Sequence, residues 1–335
     1  MTIAEKILVI GEGSAAKRHL KMANRHYPSS NIAVLVREGK SWTDELHGEA
    51  IFSIEEALSF KPDIIIFANP ATERFPILSK LVSLNCKFIF EKPIAHDYAT
   101  AEKIASLLKL FKREAIVTYQ LRHDFSLHQF RKLIEAGELG KMLNVDIEVG
   151  QFLPDWRPNR DYRKSVTANQ DLGGGVLLEL SHEIDYALWL FGTPSEVTSK
   201  VSKVSNFQMD VEDYASAILA YEDNSVVRLS LDCFRREKTR TCIARFENGT
   251  IKWDGLSQKI TIFDVNENMW KDFQENVNNA HANQWIDIVR FAESGISSSS
   301  TVNEAKLVLS LVESIKKSSA EKRSVPHGVI NVIEI

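Results

Sequence analysis

Gly11-Glu12-Gly13-Ser14-Ala15-Ala16 directly follows the apolar run Ile7–Ile10 and opens a helical stretch. The first glycine permits a tight turn, the second lets a backbone approach a pyrophosphate, and a small residue at 16 allows close helix–strand packing. A helix N-terminus adds unpaired N–H groups and the positive end of a dipole. The motif predicts dinucleotide binding through Gly11, Gly13, Ser14, Ala15 and Ala16, against the plainer reading of a tight turn with no ligand. The next apolar run, Ile32–Val36, ends in Arg37, with Lys40 and Ser41 close behind. An acidic residue there would accept bonds from the ribose hydroxyls of NAD, whereas a guanidinium suits a 2′-phosphate. The expected cofactor is therefore NADP, with NAD second. Glu38 turning inward, or Arg37 stacking on adenine, are the alternatives.

Two further motifs carry titratable groups. Lys87–Phe90 runs into Glu91-Lys92-Pro93. Ligands of open parallel sheets bind at the carboxyl ends of the strands, so Lys92 is a candidate for the cleft, and its bond to Pro93 a candidate for the cis form. Gly173-Gly174-Gly175 leads into Val176–Gly192, read as one helix. At 100° per residue Leu177, Leu180, Ile184, Ala187 and Leu188 form an apolar stripe, and Glu179, His182, Asp185 and Tyr186 lie opposite. An imidazole flanked by carboxylates one turn away is what a proton shuttle needs. A solvated helix face is the plainer reading.

Positioning these groups falls to two different kinds of architecture. Over the first 120 residues, short wholly apolar runs (Ile7–Ile10, Ile32–Val36, Ile64–Phe67, Phe88–Phe90, Ala115–Tyr119) alternate with helical patterns. Strands apolar on both faces belong to a parallel sheet covered on both sides, a doubly wound βαβ domain. Ser53-Ile54-Glu55-Glu56 and Thr301-Val302-Asn303-Glu304 read as helix-opening capping boxes. Beyond residue 121 period-two strands take over: 143–149, Asp213–Tyr221, Val226–Cys233, Thr241–Phe246, Thr250–Trp253 and Lys259–Phe263. The expected architecture is a Rossmann domain over 1–121 and an α+β domain over 122–335 built on a large, mostly antiparallel, open-faced sheet. Val226, Leu229 and Leu231 suggest a face that needs a cover, from a second copy (homodimer or homotetramer) or from the final helices.

The chain has 335 residues, 44% hydrophobic and 26% charged, with Lys+Arg 41 against Asp+Glu 45. A net charge of −4 argues against a nucleic-acid partner, and no 18-residue apolar run suggests a membrane span. Three cysteines without a CxxC predict neither a disulfide framework nor a metal site, and the chain reads as cytoplasmic. Between Asp155 and Lys164 four basic residues and two aromatics share a loop. Trp156, Arg160, Tyr162, Arg163 and Lys164, with Arg122, are candidate substrate contacts through carboxylate or phosphate clamping and stacking. A dimer contact or a solvated surface would use the same residues.

The three motifs in this order resemble the glucose-fructose oxidoreductase / inositol dehydrogenase / rhizopine catabolism (Gfo/Idh/MocA) family over nearly the whole chain. Asn69-Pro70 and Glu91-Lys92-Pro93 fall where that family has them, which implies Asn69, Pro70, Glu91 and Lys92 as cofactor contacts. The resemblance also implies that Lys92 bonds the reacting oxygen and that His182 is the acid/base of hydride transfer at a carbinol carbon. The family places an aspartate four residues before the histidine. Here Glu179 stands three before, so Glu179 and Asp185 are both candidates to orient His182. Arg74 stands where the family often has a histidine. Gly150–Arg157 and Leu177–Asp185 resemble a subgroup associated with bacterial surface-sugar synthesis, implying a sugar or nucleotide-sugar substrate. Regulators that bind dinucleotide without turnover, and reductases of imines or C=C bonds, are the rival readings.

Overall fold

The computed structural model describes residues 4–37, 48–156, 158–266, 268–273 and 279–327. Glu38, Lys40, Ser41 and Arg157 lie outside the described residues. The chain divides into two units, one of residues 1–120 and 281–309, the other of 121–280 and 310–335. Helix and strand over 281–309 thus belong with the first unit, a return of the chain that no pattern in those residues announces.

In chain order the first unit holds β1 (Lys6–Ile10), α1 (Ser14–His26), β2 (Asn31–Leu35), β3 (Glu49–Ile51), α2 (Ile54–Phe60), β4 (Ile64–Phe67), α3 (Arg74–Leu81), β5 (Lys87–Glu91), α4 (Tyr98–Leu110) and β6 (Ala115–Thr118). The second supplies α5 (Phe125–Ala136), β7 (Met142–Gly150), α6 (Leu153–Trp156), α7 (Val176–Glu179), α8 (Ser181–Phe191), β8 (Glu196–Ser202), β9 (Tyr214–Ala220), β10 (Val226–Asp232), β11 (Thr239–Phe246), β12 (Gly249–Asp254), β13 (Lys259–Asp264) and β14 (Met269–Phe273). The chain then forms α9 (Ala280–Ser294), β15 (Ser300–Thr301), α10 (Val302–Glu321) and β16 (Val325–Pro326).

The first sheet has the order β15-β6-β5-β4-β1-β2-β3, parallel throughout except for β15, which runs antiparallel to β6. Its central strands are buried on both faces, as continuous apolar runs require. Strand order reverses between β1 and β4, which puts the loops after both strands at the topological switch point. Trp285, Ile288 and Phe291 of α9 share a core with Ala16, Leu20 and Ala23 of α1. Both capping boxes form: Ser53 accepts from the Glu56 N–H at 3.1 Å, and Thr301 from Glu304 at 3.2 Å.

The second sheet has the order β14-β13-β12-β11-β7-β10-β9-β8-β16, antiparallel apart from the β7–β10 pair. One cross-strand row is apolar: Val197, Leu219, Val227, Val145, Ala244 and Ile251. The alternate row carries Ile218, Arg228, Asp146 and Ile243, with Arg228 paired to Asp146 at 2.5 Å. This corrects the expectation for Val226, Leu229 and Leu231. An odd spacing sends Val226 and Leu229 to opposite faces, and Leu229 and Leu231 are buried within the chain.

Ser297–Ser300, the one low-complexity segment, is a cage for a carboxylate. Asp287 accepts from the hydroxyls of Ser297, Ser298 and Ser299 and from two of their N–H groups, all at 2.5–3.1 Å. Burial alone would raise the Asp287 pKa, but these bonds overcome it and hold the carboxyl well below its ordinary range. Its stabilisation is therefore fully present above about pH 4 and is lost as the pH falls toward the depressed value. Asp287→Asn should cost about 1–3 kcal/mol at pH 7. Urea unfolding at pH 7 and again near pH 3 checks this, with the gap between variant and parent narrowing in acid.

Candidate active site

Gly11 has φ +119°, and a Cβ there would sit 2.9 Å from the Ala68 carbonyl oxygen, so only glycine lets the first turn lie against the loop after β4. Gly13 is different: a Cβ would meet nothing within 4 Å, and as N-cap of α1 it offers no side-chain cap. The second glycine leaves the α1 N–H groups open to a ligand. Beside this turn lies Asn69, 6% exposed, whose Oδ1 and Nδ2 meet no hydrogen-bond partner among the described residues. A buried amide of this kind fits a ligand with both donors and acceptors. The glycine turn and Asn69 together fit a dinucleotide.

Arg37, two residues past β2, does not stand clear for a phosphate. Its Nη2 lies 2.8 Å from Glu12 Oε1, and Nη1 lies 3.5 Å from Glu73.

The Lys92 turn is held from two sides. On one side, Glu91 is buried and accepts from Arg18 Nη2 at 2.6 Å and His19 Nε2 at 2.8 Å, both from α1. Burial would raise the Glu91 pKa, but the His19 hydrogen bond, with the charges of His19, Arg18 and Arg74, holds it well below the carboxylate range. Near this cluster burial, and then Arg18, push the His281 imidazole down to about 4. On the other side, Arg74, 3% exposed, donates through Nη1 to the carbonyls of Glu91 and Pro93 and through Nε and Nη2 to that of Asn69, the last at 2.9 Å. Burial lowers its pKa to about 10, against the pull of Glu91. Lys92, half-buried, therefore sits between two carbonyls clamped by one guanidinium, and its bond to Pro93 is cis.

In the second unit the glycine run works by close approach. A Cβ on Gly174 would lie 2.3 Å from the Val166 carbonyl, and one on Gly175 (φ +103°) 2.5 Å from the Glu212 carboxylate. The helix that follows is not continuous, because Leu180 (φ −97°, ψ 26°) separates α7 from α8 and puts Glu179 and His182 on different helices. Nor is the polar side solvated, which corrects the amphipathic reading. Asp185, Glu183 and Tyr186 are fully buried and His182 is 9% exposed. Burial of the two carboxylates is tolerated because each meets an arginine. Arg122 forks onto both oxygens of Asp185 at 2.9 and 3.0 Å, Arg240 bonds Glu183 at 2.8 Å, and Tyr186 meets Trp253 edge-on. Glu179 accepts from Thr167 at 3.1 Å.

The basic-aromatic loop separates into parts. Trp156 and Tyr162 pack against a small cluster of Leu153, Ala168, Met209 and Cys233 with Phe207, so their rings serve packing. Arg163 is paired with Asp161 at 2.7 Å and bonds Gln208. Arg160 and Lys164 are exposed. Arg18, His19, Glu12 and Glu73 were not singled out from sequence. His19 carried a signal, for it falls at the 16, 19, 20, 23 positions of the buried face of α1, where a polar residue needs a buried partner.

Fold and glycine turn together define a two-unit architecture whose first unit is a Rossmann fold. A model described as the oxidoreductase family with an NAD-binding Rossmann fold matches residues 5–119, and one described as the GFO/IDH/MocA C-terminal domain matches residues 127–252. The chain belongs to the Gfo/Idh/MocA family. Inositol 2-dehydrogenase of Corynebacterium glutamicum is 24% identical over 200 residues, 58% of this chain and 56% of that protein. An uncharacterized oxidoreductase of Schizosaccharomyces pombe is 26% identical over 162 residues, 48% and 42% of the two chains. The chain spans about half the length of the curated relatives it matches. Among solved structures, the WlbA dehydrogenase from Bordetella pertussis in complex with NADH and UDP-GlcNAcA has a TM-score of 0.80 at 16% identity, covering 96% and 98% of the chains. Levoglucosan dehydrogenase in complex with NADH has a TM-score of 0.82 at 16% identity, covering 97% and 99%. At such identities the likeness is one of fold. No helix among the described residues is long and apolar enough to cross a membrane.

Breaking a buried ion pair from one side leaves a charge without its partner. Glu91→Gln should cost about 3–5 kcal/mol in urea unfolding at pH 7. The loss should shrink on acidification, because the wild-type contribution holds above the ordinary glutamate range near pH 4.3 and falls away below it.

Proposed function

We propose that this chain is a nicotinamide-dinucleotide-dependent dehydrogenase or reductase acting on the CH–OH or C=O carbon of a sugar or nucleotide sugar. The observation that carries the reading is the clamped turn around Lys92 at the carboxyl end of β5. A residue that must bond a reacting oxygen needs a fixed backbone, and here a buried guanidinium and a buried carboxylate supply it.

When bound, the dinucleotide supplies the hydride acceptor or donor. Gly11, Gly13, Ser14, Ala15 and Ala16 would hold its pyrophosphate, Arg37 would stand at the adenosine ribose, and Asn69, Pro70 and Glu91 would serve the nicotinamide end. Lys92, as a cation, bonds the substrate oxygen and stabilises the negative charge developing there. His182 removes the hydroxyl proton in oxidation and returns it in reduction. Of the two carboxylates, Asp185 would orient His182, since it lies one turn along the same helix and is locked by Arg122, whereas Glu179 lies beyond the break at Leu180. Arg122 is then a positioning residue rather than a substrate contact, and Arg160 and Lys164 are the exposed cations that meet an anionic substrate.

The sugar class is supported by the inositol, levoglucosan and UDP-GlcNAcA named for similar proteins. The nucleotide-sugar and surface-polysaccharide assignment rests on the sequence resemblance. Action in the cytoplasm and self-association through the outer row of the nine-stranded sheet belong to the same reading, the latter supported by half-exposed Ile218 beside the Arg228–Asp146 pair.

The test is reduction of NAD⁺ and NADP⁺ over a panel of aldoses, inositols and UDP-sugars, with wild-type protein, Lys92→Ala and His182→Ala. At least one sugar should be turned over by the wild type. Lys92→Ala should abolish turnover while NADH still quenches tryptophan fluorescence. His182→Ala should lower kcat by about 10²–10⁴. Undiminished rates in both variants would refute the assignment of roles.

A further inference from the structure

Arg37 is the residue on which a preference for NADP would rest, and its surroundings argue the other way. It follows β2, at the end of which dinucleotide folds bind the adenosine ribose. Its guanidinium is engaged by two carboxylates from two other turns. Glu12, the middle residue of the glycine turn, accepts from Nε at 3.1 Å and from Nη2 at 2.8 Å, and its second oxygen accepts from the Arg37 N–H at 3.4 Å. Glu73, just ahead of α3, accepts from Nη1 at 3.5 Å.

We propose that Glu12, assisted by Glu73, is the residue that sets cofactor preference, and that it sets it toward NAD(H). This rests on the reading that the glycine turn binds a dinucleotide. The three groups sum to a charge of −1 where a 2′-phosphate would bring about −2 more. To reach Arg37 that phosphate must displace a carboxylate already bonded through two guanidinium nitrogens, and must then lie beside it. Ribose hydroxyls meet the opposite situation, since a carboxylate accepts from them as the acid after β2 does in NAD-binding relatives of this fold. Here the glycine turn, not the strand end, supplies that acid. Arg37 holds Glu12 in place for it. The side chain of Arg37 is 54% exposed and that of Glu12 21%, so the pair borders solvent and is open to a nucleotide.

The test is equilibrium titration with NADH and NADPH, followed by tryptophan quenching, and with adenosine 2′,5′-bisphosphate by calorimetry. It is run on wild type, Glu12→Gln, Glu73→Gln and the double variant, each shown by circular dichroism to be folded. Wild type should bind NADH at least tenfold more tightly than NADPH. Glu12→Gln should tighten NADPH and the bisphosphate about tenfold while weakening NADH. Glu73→Gln should shift the ratio the same way by less. A wild-type preference for NADPH, or a ratio unchanged within twofold in Glu12→Gln and the double variant, would overturn this proposal and leave the dinucleotide reading intact. Binding of neither nucleotide would overturn both.

Discussion

A guanidinium taken out of water has five N–H donors to satisfy and a charge to solvate, and Arg74 is almost wholly out of water. It meets the demand with backbone carbonyls of Asn69, Glu91 and Pro93. Those carbonyls belong to the loop leaving β4 and to the end of β5 with the turn after it, so the two must converge for the cation to be buried at all. Glu91 carries the constraint onward, because its carboxylate is also buried and is satisfied by Arg18 and His19 from α1. Gly11 closes the circuit by lying against Ala68. The loop that carries Asn69 and the turn that carries Lys92 are thus tied through Arg74, and neither can shift without leaving a buried charge short of partners.

The second unit uses buried charge in a related way. Asp185 and Glu183 sit in the interior of α8, each matched to one arginine, and the helix carries His182 between the break at Leu180 and the Arg122 fork. Replacing such pairs by apolar residues often costs nothing in stability. What they confer on this helix is a fixed rotation about its axis, and with it a fixed place for His182.

Much of this was legible in the residues. Wholly apolar runs at regular spacing marked β1, β2, β4, β5 and β6 because strands covered on both faces leave no polar positions. The capping boxes and the glycine turn were legible because their demands are local. The same logic explains the misses. Glu196–Ser202 and Met269–Phe273 form strands without the apolar alternation that marks one. A helical wheel places Asp185 opposite the stripe but cannot know that Arg122 waits there. Arg74 was noticed as a substitution, yet its acceptors are carbonyls, which no pattern of side chains reveals. Arg37 reads in the sequence as a lone cation, because Glu12 and Glu73, which engage it, come from two other turns. In each case the deciding contact joins residues distant in sequence.

The return of residues 281–309 to the first unit has a consequence for how the protein is made. A ribosome releases β1 to β6 early, but Trp285, Ile288 and Phe291, which complete that core, follow only after the 160 residues from 121 to 280. At typical elongation rates that interval lasts roughly 8–30 s. Through it the nascent Rossmann sheet has one apolar face covered by α1 without α9 and an unpaired edge at β6. Completion of the first unit is thereby tied to synthesis of the second, so a chain stalled in between is left without a finished nucleotide-binding half.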